Sequence, residues 1–181
     1  DGANLGGGDY MTINQNKKVI RIVTPYDYDI IILNKKLNKT YIYFGSSGFS
    51  KFKKQAIQDG NAEKIATDVS VKRAVSKSNR LYNNSVWDLV DKSEKEVIDY
   101  SKIDRKKLTK ELQALSDAEL KKHVETQKKK RSEIKKQINE LNKKRKIYVA
   151  KKQQESTKKN ELESVMILAI KKQAMRKNYK W

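Results

Sequence analysis

The sequence contains no cysteine, which excludes disulfides, thiolate metal sites and a cysteine nucleophile while leaving the redox compartment open. It has a single histidine, His123, so no histidine cluster exists to hold zinc, and histidine-based catalysis has no partners that the sequence singles out. Its one proline, Pro25, and all seven glycines fall within the first 60 residues, so the turn-rich part lies early and the rest is free of strong helix breakers. No apolar run approaches the roughly 20 residues of a spanning helix. The opening residues Asp1-Gly2-Ala3-Asn4 also lack the basic and apolar regions of a signal peptide, and they read like the middle of a longer polypeptide. Acidic residues are scarce beside basic ones, 22 against 42, and the formal charge of +20 makes the chain attractive to phosphate backbones, anionic lipid or acidic protein faces without choosing among them.

What is present is polar but patterned. Hydrophobic residues make up 36% of the chain, charged residues 35%, and the mean hydropathy is −0.90. That is too polar for an all-core protein and too ordered in its spacing for a disordered one, so a large exposed surface is expected.

Asp9-Tyr10-Met11-Thr12-Ile13 and Val19-Ile20-Arg21-Ile22-Val23 are rich in β-branched and aromatic residues and flank a turn-forming segment, which predicts a β-hairpin. Thr24-Pro25-Tyr26-Asp27 predicts a helix start, with Thr24 as cap and Pro25 at the first helical position. Tyr26, Ile30, Leu33 and Leu37 follow on one stripe, and Thr40 to Phe44 reads as extended. From Ser50 helical signals dominate: a segment carrying Phe52, Ala56 and Ile57 is expected to break or kink at Asp59-Gly60-Asn61, and Ile65 and Val69 continue its stripe. Ser85-Val86-Trp87-Asp88 resembles a capping box opening a short helix, and Ser116-Asp117-Ala118-Glu119 is a clearer one opening a long helix.

That long helix has a heptad seam of Leu120, Val124, Gln127, Arg131, Ile134, Ile138, Leu141, Arg145 and Tyr148, weakened in its middle by Gln127 and Arg131. Leu162, Val165, Met166, Ala169 and Ile170 mark a final amphipathic helix, expected to fold back and cover the seam in an antiparallel hairpin.

Gly6 to Ile13, Val23-Thr24-Pro25-Tyr26-Asp27, Leu33 to Ile42, Gln58-Asp59-Gly60-Asn61-Ala62, Ala74 to Ser78 and Trp87-Asp88-Leu89-Val90-Asp91 together carry a resemblance over most of the chain. The sequence resembles the C-terminal part of bacterial proteins with a von Willebrand factor type A domain followed by a helical extension. The resemblance implies an α+β fragment, predominantly α, in three parts. Residues 1–45 would be the end of a doubly wound α/β type A domain (hairpin plus last helix), 46–115 a helical connector, and 116–181 a basic helical hairpin. It also implies a cell-envelope location, periplasmic or at the cell surface. In that family a loop with an Asp-x-Ser-x-Ser motif binds Mg²⁺. This chain has no complete copy, since Asp68-Val69-Ser70-Val71-Lys72 and Asp91-Lys92-Ser93-Glu94-Lys95 each lack the second serine. No metal ligand is carried over, and Mg²⁺ is expected only with an upstream half. Such an end fragment leaves a sheet edge and an apolar helix face that something else must cover.

No nucleophile–base pair, metal cluster or phosphate loop is evident, so no catalytic residue and no small-molecule substrate is assigned. The runs Lys128-Lys129-Lys130-Arg131 and Lys143-Lys144-Arg145-Lys146 read as the solvated face of a long helix or as a phosphate-binding patch, and they contain no aromatic to stack bases. Trp87 reads as a core or docking anchor, or as a partner hot spot. The stretch 162–177, apolar with flanking lysines and Arg176, suits covering the preceding helix or lying on an anionic membrane surface. The sequence thus predicts a non-catalytic scaffold or adhesion component that binds other protein subunits. Trp87, Leu120, Ile134, Ile138, Leu141, Lys128, Lys129, Lys130 and Arg131 are its candidate contact residues. A nucleic-acid-binding module gripping phosphates through basic helices is the alternative.

Overall fold

The computed structural model describes residues 21–157, 161–177 and 179. Regular structure among them is helical: α1 (Asp27–Asn38), α2 (Gly48–Ile65), α3 (Thr67–Ser78), α4 (Leu89–Lys95), α5 (Lys110–Gln113), α6 (Asp117–Thr157) and α7 (Glu161–Arg176). Two single 3₁₀ turns, Tyr100–Lys102 and Arg105–Lys107, lie between α4 and α5.

The α+β expectation is corrected accordingly. Among the described residues there is no strand, only one antiparallel bridge between Tyr43 and Asp88. The first strand of the expected hairpin and the start of the second lie outside the described residues. Arg21, Ile22 and Val23 are described, carry no strand, and Val23 is largely exposed. β-branched composition favours a pleated surface, and among the described residues no strand is assigned to this segment.

α1 begins at Asp27, two residues later than Pro25 suggests. Thr24 donates through its N–H and its Oγ to the Asp27 carboxylate at 3.1 and 2.6 Å, and the Asp27 N–H donates to the Thr24 carbonyl at 3.2 Å. The acid therefore fixes the approach to the helix, reversing the capping role expected of the threonine. Ile30, Leu33 and Leu37 are buried as their spacing predicts. They pack with Tyr41, Val71, Ala74, Trp87 and Ile138, so this side of α1 is covered from within the chain.

The predicted break at Asp59-Gly60-Asn61 is absent: α2 runs through it unbroken. Glycine inside a helix costs only about 1 kcal/mol relative to alanine, and the Asp59 side chain is held by Lys77, Arg73 and Asn38. The chain turns instead at Ala66, whose extended backbone (φ −175°, ψ 158°) separates α2 from α3. Ile57 and Ile65, expected on the apolar stripe, are exposed, and the buried positions of α2 are Gly48, Gln55, Asp59 and Ala62. α3 packs against both α1 and α2.

Residues 41–44 are extended, as predicted, and pair briefly with residues 87–89: the Phe44 N–H donates to Trp87 O and the Leu89 N–H to Ile42 O, both at 2.9 Å. Gly45 closes this segment with φ +73°, a conformation that side chains disfavour. α4 starts later than the Ser85 box would place it. Its cap is Asp88, whose carboxylate accepts from the Asp91 N–H, and Trp87 precedes the helix.

α6 is 41 residues long, about 60 Å at 1.5 Å per residue. Its capping box forms as predicted: Glu119 Oε2 accepts from the Ser116 N–H at 2.8 Å, and Ser116 Oγ accepts from the Glu119 N–H at 3.3 Å. Backbone contacts group residues Val23–Ile147 into one compact unit. Within this unit two apolar clusters form along α6. One contains Ile138 with α1 and α3, and the other contains Leu120 and Val124 with Ile42, Leu89, Val90, Leu108 and Leu112.

Candidate functional site

The side chains that organise the 23–147 unit are charged, and they are buried. Arg131 occupies the seam of α6 one heptad after Val124 and one before Ile138, at the junction of the two apolar clusters, and is fully buried. Its partners come from the start of α4 and the turn after α1. Trp87 enters the first cluster and Leu89, the first residue of α4, the second, while Asp88 between them, extended at φ −120° and ψ 120°, meets the guanidinium. Thr40, in the turn after α1, bonds Arg131, Tyr41 joins the first cluster and Ile42 the second.

Arg131 Nη1 donates to Asp88 Oδ2 at 2.5 Å and Asp91 Oδ1 at 2.6 Å, its Nη2 to the Thr40 carbonyl at 2.7 Å, and its Nε to Thr40 Oγ1 at 2.9 Å. Its Cζ lies 4.2 Å from the centroid of the Tyr41 ring. Asp88 also accepts from the Ile42 N–H at 2.7 Å. Burial pushes the Asp88 carboxyl above the usual carboxylate range, against the opposing pull of Arg131. Burial also works against the Arg131 charge, but the two carboxylates outweigh it and hold the guanidinium protonated.

A second buried cation lies across the same ring. Lys77 on α3 is fully buried, donates to Asp59 Oδ2 at 2.7 Å and to Asn38, and its Nζ is 5.8 Å from the Tyr41 centroid. Burial drives the Lys77 pKa down, and Asp59 only partly restores it. Tyr41, stacked on Trp87 at 5.6 Å, is held protonated by burial. A third contact, Arg145 Nε to Asp27 Oδ1 at 2.8 Å, repeats the Arg131 position two heptads along α6.

Asp59 and Asp27 give this arrangement a pH signature. Burial alone would raise both, but the hydrogen bonds from Lys77, Asn38 and Arg73 to Asp59, and from Thr24 and Arg145 to Asp27, hold both below the ordinary value of 3.8. A depressed folded-state pKa contributes stability that is fully present above the unfolded value and lost as pH falls through the folded one. Denaturant melts are therefore expected to show this contribution intact down to about pH 4 and falling below it. Asp59→Asn should flatten that acid limb; an unchanged limb would show that Asp59 does not contribute to it.

The candidate contact residues differ in burial. Trp87, Leu120, Ile138 and Arg131 are buried in the folded unit, Ile134 and Leu141 are half-buried against the first cluster, and Lys129 and Lys130 are exposed. Lys128 is half-buried and donates to Ser93 O at 3.3 Å. Thus the basic run is not one surface, since its fourth member points into the core. Opposite the seam, Lys122, Lys129, Lys136 and Lys143 recur every seven residues, with Glu119, Glu125, Glu133 and Glu140 three or four positions away. This outer face has mixed charge.

Asp88, Asp91, Asp59 and Lys77 give no sign in the sequence of their organising role, because each lies in a short or polar segment; a buried acid has no periodicity of its own. His123, half-buried, has its Nε2 3.5 Å from Gln127 Nε2. Among the described residues, no group of three or more His, Cys, Asp or Glu side chains is placed to hold a metal ion, and no helix is long and apolar enough to cross a membrane. Compared with protein-family models, curated proteins and solved structures, the chain matches none of them.

Proposed function

We propose that the chain is a non-catalytic protein–protein interaction or scaffold component of a larger assembly, the C-terminal end of a type A protein working in the cell envelope. In this reading the region up to residue 45 belongs to the end of the type A domain. Residues 116–181 form its basic helical-hairpin extension, and an upstream half or a partner subunit completes the domain. The observation that carries the proposal is the Arg131 network. The unit's buried acids and cations are spent on one another, and their effect is to fix a 41-residue helix by its first three-quarters on a small helical body. A helix fixed in this way suits presentation of a surface better than chemistry on a substrate. The outer face of α6, where lysines alternate with glutamates, also suits protein contact better than a continuous grip on phosphates.

Two measurements separate this from the nucleic-acid alternative. Native mass spectrometry of the chain, alone and mixed with a separately expressed type A half, is expected to show a complex that survives high ammonium acetate. Monomer alone under every condition would contradict the proposal. Fluorescence anisotropy with duplex DNA is expected to show at most weak binding. Tight binding that falls about 10³-fold or more between roughly 50 and 200 mM salt would favour the alternative.

A further inference from the structure

On another side of the 23–147 unit, the end of α3, the loop that follows it, the end of α4 and α6 enclose an open groove of about 520 Å³. Its polar lining is biased towards donors. Asn79 Oδ1 is taken by the Leu81 N–H at 2.9 Å and Asn83 Oδ1 by the Ser85 N–H at 3.0 Å, which leaves the Nδ2 group of each amide for the groove. Arg80 adds a guanidinium and Lys135, from α6, an ammonium. Tyr82 and Glu94 also line it, the second with a carboxylate that the two cations outnumber. Two cations and two oriented amides around one space match an oxyanion with several acceptor oxygens. The volume leaves room for a sugar-sized body attached to it.

We propose that this groove is a binding site for a phosphate group, held by Arg80, Lys135 and the amides of Asn79 and Asn83. The site is independent of the scaffold reading, because none of these residues belongs to the Arg131 network. It also differs from diffuse attraction to a basic surface, since the fixed amides give it a geometry as well as a charge.

The test is titration of the isotopically labelled full chain, followed by the side-chain amide signals of Asn79 and Asn83. The probes are inorganic phosphate, ribose 5-phosphate, phosphatidylglycerol vesicles and duplex DNA. Inorganic phosphate and ribose 5-phosphate are expected to shift both amides saturably. Arg80→Gln and Lys135→Gln should each weaken binding by about 10-fold or more, as expected for loss of a charge-assisted hydrogen bond. Lys36→Gln with Lys130→Gln, in the separate groove between α1 and α6, should leave binding unchanged. Vesicles that compete with the small phosphates for the same amides would identify a lipid headgroup as the source, and vesicles that do not would identify a free phosphate. The proposal is overturned if the small phosphates give no saturable shift, if only DNA or vesicles bind, or if the control variant loses as much affinity as Arg80→Gln. Arg80 is exposed and Lys135 half-buried, and circular dichroism of the variants confirms that they remain folded.

Discussion

Arg131→Met is expected to destabilise the 23–147 unit by about 3–5 kcal/mol, the usual cost of removing one partner from a buried ion pair. The methionine can fill the apolar junction, but Asp88 and Asp91 would then be buried without their cation, and Thr40 would lose two donors. Against a typical stability of roughly 5–15 kcal/mol this is a large fraction, read as a fall in melting temperature on the order of 10–25 °C. Replacing Arg131, Asp88 and Asp91 together with apolar residues of similar size should recover much of the loss, because no charge remains unpaired. Capping would suffer in that triple variant, since Asp88 also holds the start of α4. A methionine variant within about 1 kcal/mol of the parent would mean that the network is not what holds α6 in place.

Trp87→Ala is expected to cost about 3–5 kcal/mol, comparable with other large aromatic truncations in cores. Trp87 is 6% exposed, stacks on Tyr41 and meets the edge of Phe52 at 6.5 Å, so its loss opens a cavity beside the ring that faces both Arg131 and Lys77. The near-ultraviolet dichroism of the tyrosines should weaken along with the unfolding free energy. A cost below about 1 kcal/mol, with tyrosine signals intact, would instead place Trp87 at a surface contact.

These two residues show what the sequence can reveal. Every seam position from Leu120 to Arg145 is buried or half-buried, so the heptad spacing by itself locates the correct face of α6. The same spacing makes Arg131 look like a weakness in that face. A lone charge at a seam position has two opposite meanings, and only the buried acids opposite it, 40 and 43 residues away, separate them. Periodicity carries no information about a partner supplied by Asp88, the cap residue of a seven-residue helix.

The cover of the seam is hard to read from sequence for a related reason. Within the 23–147 unit, α1 and the short elements around Leu108 and Leu112 cover the seam from Leu120 to Leu141. Short elements with two or three apolar residues leave little trace in a sequence window. In α2 the mismatch runs the other way: a strong breaker, Asp59-Gly60-Asn61, stays helical because tertiary bonds to Asp59 offset a modest local cost.

In this picture α6 is part of the folded unit through its buried cations, in contrast to a free basic helix. Amide hydrogen exchange of the intact chain tests that most directly. Amides of α6 between Val124 and Leu141 are predicted to exchange as slowly as those of α1 and α3, through one global opening, and Arg131→Met to accelerate all three together. Fast exchange across that stretch of α6 while α1 and α3 stay protected would contradict it.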